Sequence, residues 1–348
     1  MKKTISIIIS IAMCAMLASC GGVKNEVSDT EQPTLIDTMS LEEKVGQILF
    51  VRCVDDEQTD DLMSIKPGGI LMFGRDFEGL TKDEVKEKIQ SYQDKSDIPL
   101  IIGADEEGGT VVRVSSNPNL APEKFKSPQE IYNEGGMDAV VENATEKSEL
   151  LLSLGVNMNL APVADVSTNP SDYMYDRSLG QNAEVTADFV SKTVTAMNNA
   201  GIMSVLKHFP GYGGVGGDSH QGTVYDDKTA ESICENDLLP FKAGIEAGAS
   251  SVLVAHNTVN ALDSENPASL SPTIHNMLRD ECGFDGVIMT DDMENVYVKA
   301  VNAGNDLLIT TDYQTGYNQI LNAVKCGGIS EETLNSAVER VLKMKGQI

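Results

Sequence analysis

Eight short apolar runs recur along the chain, at 47–52, 69–73, 100–105, 157–165, 204–209, 251–256, 286–291 and 306–310. Near-continuous apolar runs of this kind predict parallel strands covered by helices on the outside. The stretches between them carry helix signals. Ser40 with Glu43, and Thr81 with Glu84, fit the capping box, in which a hydroxyl and a carboxylate satisfy the first free N–H groups of a helix. In the last segment Leu334, Val338, Val341 and Leu342 fall on one helical face behind Ser330. Eight alternating β/α units predict an α/β protein, a single (β/α)8 TIM-type barrel. The polar residues agree: Asp105, Asp165, Lys207, His208, His256, Asp291 and Asp292 all fall at the C-terminal ends of the runs. Barrels of this type keep their active sites on that face.

The N-terminus reads differently. Lys2 and Lys3 precede an apolar run at 5–17, which ends in Leu17-Ala18-Ser19-Cys20 and resembles the bacterial lipobox. The expectation is a signal peptide at 1–19, lipidation at Cys20, a polar tether at 20–33 and the folded domain at 34–348. The protein would then sit on the outer or periplasmic side of a bacterial cell membrane, held by acyl chains.

Charge narrows the partners. Against 26 lysines and arginines stand 53 acidic residues, a net charge of −27, which argues against nucleic acid and anionic lipid surfaces. The cysteines beyond Cys20 (Cys53, Cys234, Cys282 and Cys326) form no C-x-x-C pair or metal-binding spacing. They are expected to be buried free thiols. No metal or cofactor is expected, and the sequence is silent on oligomeric state.

The densest chemistry lies at 207–220, KHFPGYGGVGGDSH. An apolar strand delivers Lys207 and His208, glycines let the backbone turn closely, and Asp218 stands two residues before His220. A carboxylate beside an imidazole can orient the ring for proton transfer. Asp291 could be a nucleophile or a helix cap, and on spacing alone Asp292 is equally eligible.

DEEGGTVVR (105–113), LGVNMNLAPVADV (154–166), DRSLG (176–180), the loop above, AHNTVNALDSENPASLSP (255–272) and GFDGVIMTDDM (283–293) resemble, in order and spacing, the motifs of family 3 glycoside hydrolases. The likeness is to the single-domain bacterial β-N-acetylglucosaminidases and runs from about Met39 to the C-terminus. It implies a retaining hydrolase that releases terminal N-acetylglucosamine from peptidoglycan or chitin fragments. Asp291 would be the nucleophile, His220 the acid/base and Asp218 its orienting partner. Asp105, Arg113, Arg177, Lys207 and His208 would hold the sugar, Asp292 would be a structural hydrogen-bonder, and His256 and Asp165 would brace the site. His275 is expected on the surface. Relatives usually carry a longer segment where this chain has only 292–299. The chain lacks tryptophan, so stacking on a sugar would fall to Tyr173, Tyr175, Phe209 or Tyr212. That favours a pocket for a terminal sugar over a long groove. The competing readings are a phosphorylase, a β-glucosidase or β-xylosidase with the same site, and a non-catalytic sugar-binding lipoprotein.

Overall fold

The computed structural model describes residues 34–218 and 222–348. The expected leader, the tether with Cys20, and His220 lie outside the described residues.

Eight parallel strands form the core: β1 (Leu49–Arg52), β2 (Gly69–Met72), β3 (Ile101–Ala104), β4 (Met158–Asn159), β5 (Met203–Phe209), β6 (Ser251–Val254), β7 (Val287–Thr290) and β8 (Leu308–Thr310). β1 to β7 pair in sequence order, and β8 returns to β1 through Leu49↔Leu308. One bridge, Met289↔Leu307, brings β7 to β8. The result is a nearly closed barrel with helices outside, as the alternation of runs predicts.

Every expected strand is present, usually shorter than its run. The run at 157–165 gives only two residues of strand, because Pro162 has no N–H to donate. Beyond it a single bridge, Val163↔Lys207, remains. Both expected capping boxes form, and another at Ser127 and Glu130 opens the segment Pro128–Leu154, in which two helices meet at the non-helical backbone of Gly136. The last helix, Glu331–Met344, buries its predicted apolar face.

Side chains alternate between two cores, as a pleated strand dictates. Phe50, Leu71, Ile101, Met158, Leu160, Val205, Leu253, Met289 and Ile309 pack together inside the barrel. Val51, Ile70, Ile102, Leu206, Val252 and Ile288 point outward and pack in the layer beneath the helices. Gly103 makes room for the Phe50 ring, which a Cβ there would meet at 2.6 Å.

Two expectations fail. His275 is buried, with Nδ1 2.8 Å from the Ser271 carbonyl, because its helix packs its side chain inward. Its pKa is lowered chiefly by that burial. The four described cysteines are free as expected, but Cys234 and Cys326 are exposed and Cys282 half-buried; only Cys53 is buried.

Candidate active site

The alternation that builds the interior also builds the site. Two residues beyond an inward apolar side chain, the next inward position reaches the barrel mouth. Phe50 leads to Arg52, Leu71 to Phe73, Val205 to Lys207 and Met289 to Asp291. These four line one cleft of about 400 Å³ with Asp105, Arg113, Arg177, His208, Asp292 and apolar neighbours.

Its floor is an ion cluster. Lys207, 2% exposed, places Nζ 2.8 Å from Asp105 Oδ1 and 2.6 Å from Glu107 Oε1. Arg177 grips Glu107 with two donors, Nε at 3.0 Å and Nη2 at 2.7 Å. Arg113 lies 3.5 Å from Asp105. Burial pushes the Glu107 pKa up, but Lys207 and then Arg177 outweigh it and hold the carboxyl well below its usual range. Burial likewise pushes Lys207 down, and Asp105 and Glu107 turn that into a net rise.

His208 follows Lys207, yet both line the cleft. Consecutive strand residues normally face opposite ways; here the register of β5 against β6 shifts between Lys207 and Phe209. Asp165, fully buried, accepts from His208 Nδ1 at 2.8 Å, from the His208 N–H at 3.2 Å and from the Tyr212 N–H at 2.7 Å. Burial raises the Asp165 pKa, but His208 and these hydrogen bonds give a net lowering. Arg177 Nη2 stands 3.4 Å from His208 Nε2. Arginine only donates, so the ring proton belongs on Nδ1 and Nε2 accepts.

A narrow crevice adjoins the cleft and shares Arg177, His208 and Asp291 with it. Asp218, Tyr173, Tyr212 and His256 also line it. The structure thus brings Asp105, Arg113, Arg177, Lys207, His208 and Asp291 around one space and puts Asp218 beside it. Of the aromatic candidates, Tyr173 and Tyr212 line the crevice. Phe209 does not: it is buried in the outer core, edge-on to Phe241 at 5.2 Å.

Several residues escaped the sequence reading. Glu107 was legible in principle, since it stands two residues beyond Asp105. Glu106, between them, turns away and is fully buried. It accepts the N–H groups of Arg113 (2.8 Å), Val114 (2.7 Å) and Ser115 (3.3 Å) and the Ser115 hydroxyl, which fixes the turn that presents Arg113. Arg52 lies over the Phe73 ring, 4.1 Å from its centroid, with Arg113 at 5.2 Å.

The description Glycosyl hydrolase family 3 N terminal domain matches residues 40–344. A beta-hexosaminidase of Haemophilus influenzae is 28% identical over 284 residues, covering 78% of this chain and 80% of that protein. Beta-hexosaminidase LpqI of Mycobacterium tuberculosis is 27% identical over 329 residues, covering 88% and 83%. The solved structure of a family 3 beta-N-acetylglucosaminidase from Paenibacillus sp. superposes with a TM-score of 0.83 at 30% identity, over 89% of this chain and 62% of that one.

Proposed function

Because this chain belongs to the glycosyl hydrolase family 3 N-terminal-domain family and is a glycosidase, we propose that it removes terminal β-linked N-acetylglucosamine from peptidoglycan- or chitin-derived fragments with retention of configuration. The observation that carries this reading is the division of the mouth. Hydrogen-bonding charges on β5 and in the segments that follow β3 and β4 line one cleft with a carboxylate at the end of β7.

The charged groups suit sugar hydroxyls, because charge-assisted hydrogen bonds are short and directional. With the ring held there, Asp291 would attack the anomeric carbon and form a glycosyl–enzyme ester as the bond to the leaving oxygen breaks. His220 would give that oxygen its proton, with Asp218 orienting the ring. It would then take a proton from the water that cleaves the ester. The Asp292 N–H donates to Asp291 Oδ1 at 2.8 Å and helps to hold that carboxylate in place.

A panel of aryl β-glycosides, in phosphate and in phosphate-free buffer, tests sugar and acceptor together. Fastest turnover of the N-acetylglucosaminide, independent of phosphate, is expected. Asp291→Ala should abolish turnover with the fold intact, and azide should restore some rate as a glycosyl azide of inverted configuration. A dead Asp292→Ala beside a near-normal Asp291→Ala would reverse the assignment.

The N-terminal reading extends this proposal: Lys2, Lys3 and Leu17-Ala18-Ser19-Cys20 support a lipoprotein acylated at Cys20 and facing outward from a bacterial membrane. Two or more acyl chains give stable anchoring where one does not. Cys20→Ser should lose palmitate labelling; a variant still labelled and membrane-bound would count against the anchor.

A further inference from the structure

Asp291 leads into a segment, through Val296, that belongs to no helix or strand before the helix Tyr297–Ala303 begins. Regular hydrogen bonding therefore does not set the direction of its carboxylate. Asp292 is instead gripped from two sides. Arg52 Nη1 donates to Asp292 Oδ2 at 2.9 Å, and Thr311 Oγ1 donates to the same oxygen at 3.1 Å. From the other side His256 Nε2 lies 3.1 Å from the Asp292 carbonyl oxygen. A carbonyl only accepts, so the imidazole carries a proton on Nε2. Its Nδ1 is 2.7 Å from the hydroxyl of buried Ser269, which holds the ring in place. The remaining polar group of the Asp292 backbone, its N–H, donates to Asp291 Oδ1.

We infer that Arg52 is a positioning residue for the proposed nucleophile, acting through Asp292, with His256 as the opposing arm of the same clamp. Arg52 suits this work because it is itself fixed: its guanidinium lies on the Phe73 ring, which the second strand brings to the mouth. The inference rests on Asp291 attacking the anomeric carbon. It goes further by naming what aims that carboxylate and by giving the second aspartate of the pair a role of its own. Asp292 is spent on the clamp.

The test is steady-state kinetics on the best aryl glycoside of the panel, with circular dichroism and thermal unfolding to confirm folding. Arg52→Met should lower kcat by about ten- to a hundredfold, as expected when a reacting group is displaced by about 1 Å. KM should stay within about twofold, because the proposed sugar-holding charges lie on β5 and in the segments after β3 and β4. Arg52→Lys keeps a donor without the planar fork and should recover part of the loss. In Asp292→Ala the arm has nothing to hold, so adding Arg52→Met should cost little more. His256→Gln, which retains a donor, should be milder than His256→Ala and offers a second route should Arg52→Met fold poorly. A rise in KM with kcat preserved would make Arg52 a substrate contact and overturn the inference. So would losses that multiply in the double variant. An active Asp291→Ala would sink the nucleophile reading by itself, and a wild type inert on the whole panel would sink both.

Discussion

At the scale of single residues, the site is governed by which charges are buried together. Glu107 is the clearest case. It is 3% exposed and faces Lys207 and Arg177, two cations that cannot leave with it. Removing one partner of such a cluster leaves uncompensated charge in low dielectric, and Glu107→Gln should cost about 3–5 kcal/mol of stability. The pH dependence has a definite sign. The folded carboxyl lies below its unfolded value of about 4.3, so the unfolded chain binds more protons between the two. The stabilisation is complete above that unfolded value and is lost as pH falls through the folded one. Urea midpoints measured from pH 7 down to the acid limit should therefore fall less steeply for Glu107→Gln than for the wild type; parallel curves would deny Glu107 this role. Much of the site could be read from residue spacing. Asp105, Lys207, His208 and Asp291 stand at ends of apolar runs, and the structure gathers them. Arg52 and Phe73 obey the same alternation, two residues past Phe50 and Leu71, but they lie within runs read simply as strand. Arg52 gains meaning only from Asp292, 240 residues away, a pairing no local pattern reveals.

At the scale of elements, the strands were legible because their burial on both sides writes apolar runs into the chain. Their ends were less so: Pro162 cuts β4 short, and the shift within β5 that turns His208 toward the cleft depends on its partner β6. The loop after β5 shows how an element is held in register with the site. Gly213 lies so close to the segment after β4 that a Cβ would come within 1.8 Å of the Val166 carbonyl oxygen. Backbone on both sides leaves nothing flexible to yield. Gly213→Ala must lift the loop, and with it Tyr212, whose N–H binds Asp165 and whose hydroxyl donates to the Gly217 carbonyl at 2.9 Å. Asp165 would then lose a donor while still holding His208. The expected result is a loss of about 1–3 kcal/mol from overpacking and of about tenfold or more in kcat/KM from misplacement. Gly216→Ala, where a Cβ meets nothing within 4 Å, is the control and should change neither by much. Equal effects at the two positions would show that the loop responds to lost glycine as such and not to the contact with Val166.

At the scale of the whole molecule, the dominant quantity is charge. Four cations, Arg52, Arg113, Arg177 and Lys207, are concentrated around the cleft of a protein whose net charge is −27. The cleft cations are paired with nearby carboxylates, so the excess negative charge resides mainly on the rest of the surface. Exposed pairs such as Lys95–Asp60, Lys126–Glu134 and Lys192–Asp188 offset little of it, since pairs of this kind contribute about 0–1 kcal/mol each. Self-repulsion of like charge weakens the compact state, and its range shrinks from about 10 Å in 0.1 M salt to about 3 Å in 1 M. Salt also weakens the exposed attractive pairs, but with 53 acidic residues against 26 basic ones the repulsive terms outnumber them. The cluster of Glu107, Lys207 and Arg177 is buried and is screened far less. Raising sodium chloride from about 0.02 to 0.5 M at pH 7 should therefore raise the thermal midpoint by several degrees, the repulsive surface terms fading while the buried cluster persists. KM for a neutral aryl glycoside should stay nearly constant over the same range, because its contacts lie within the cleft. Should the midpoint fall steadily with salt, attraction between surface pairs outweighs repulsion and the assignment of the net charge as destabilising is wrong.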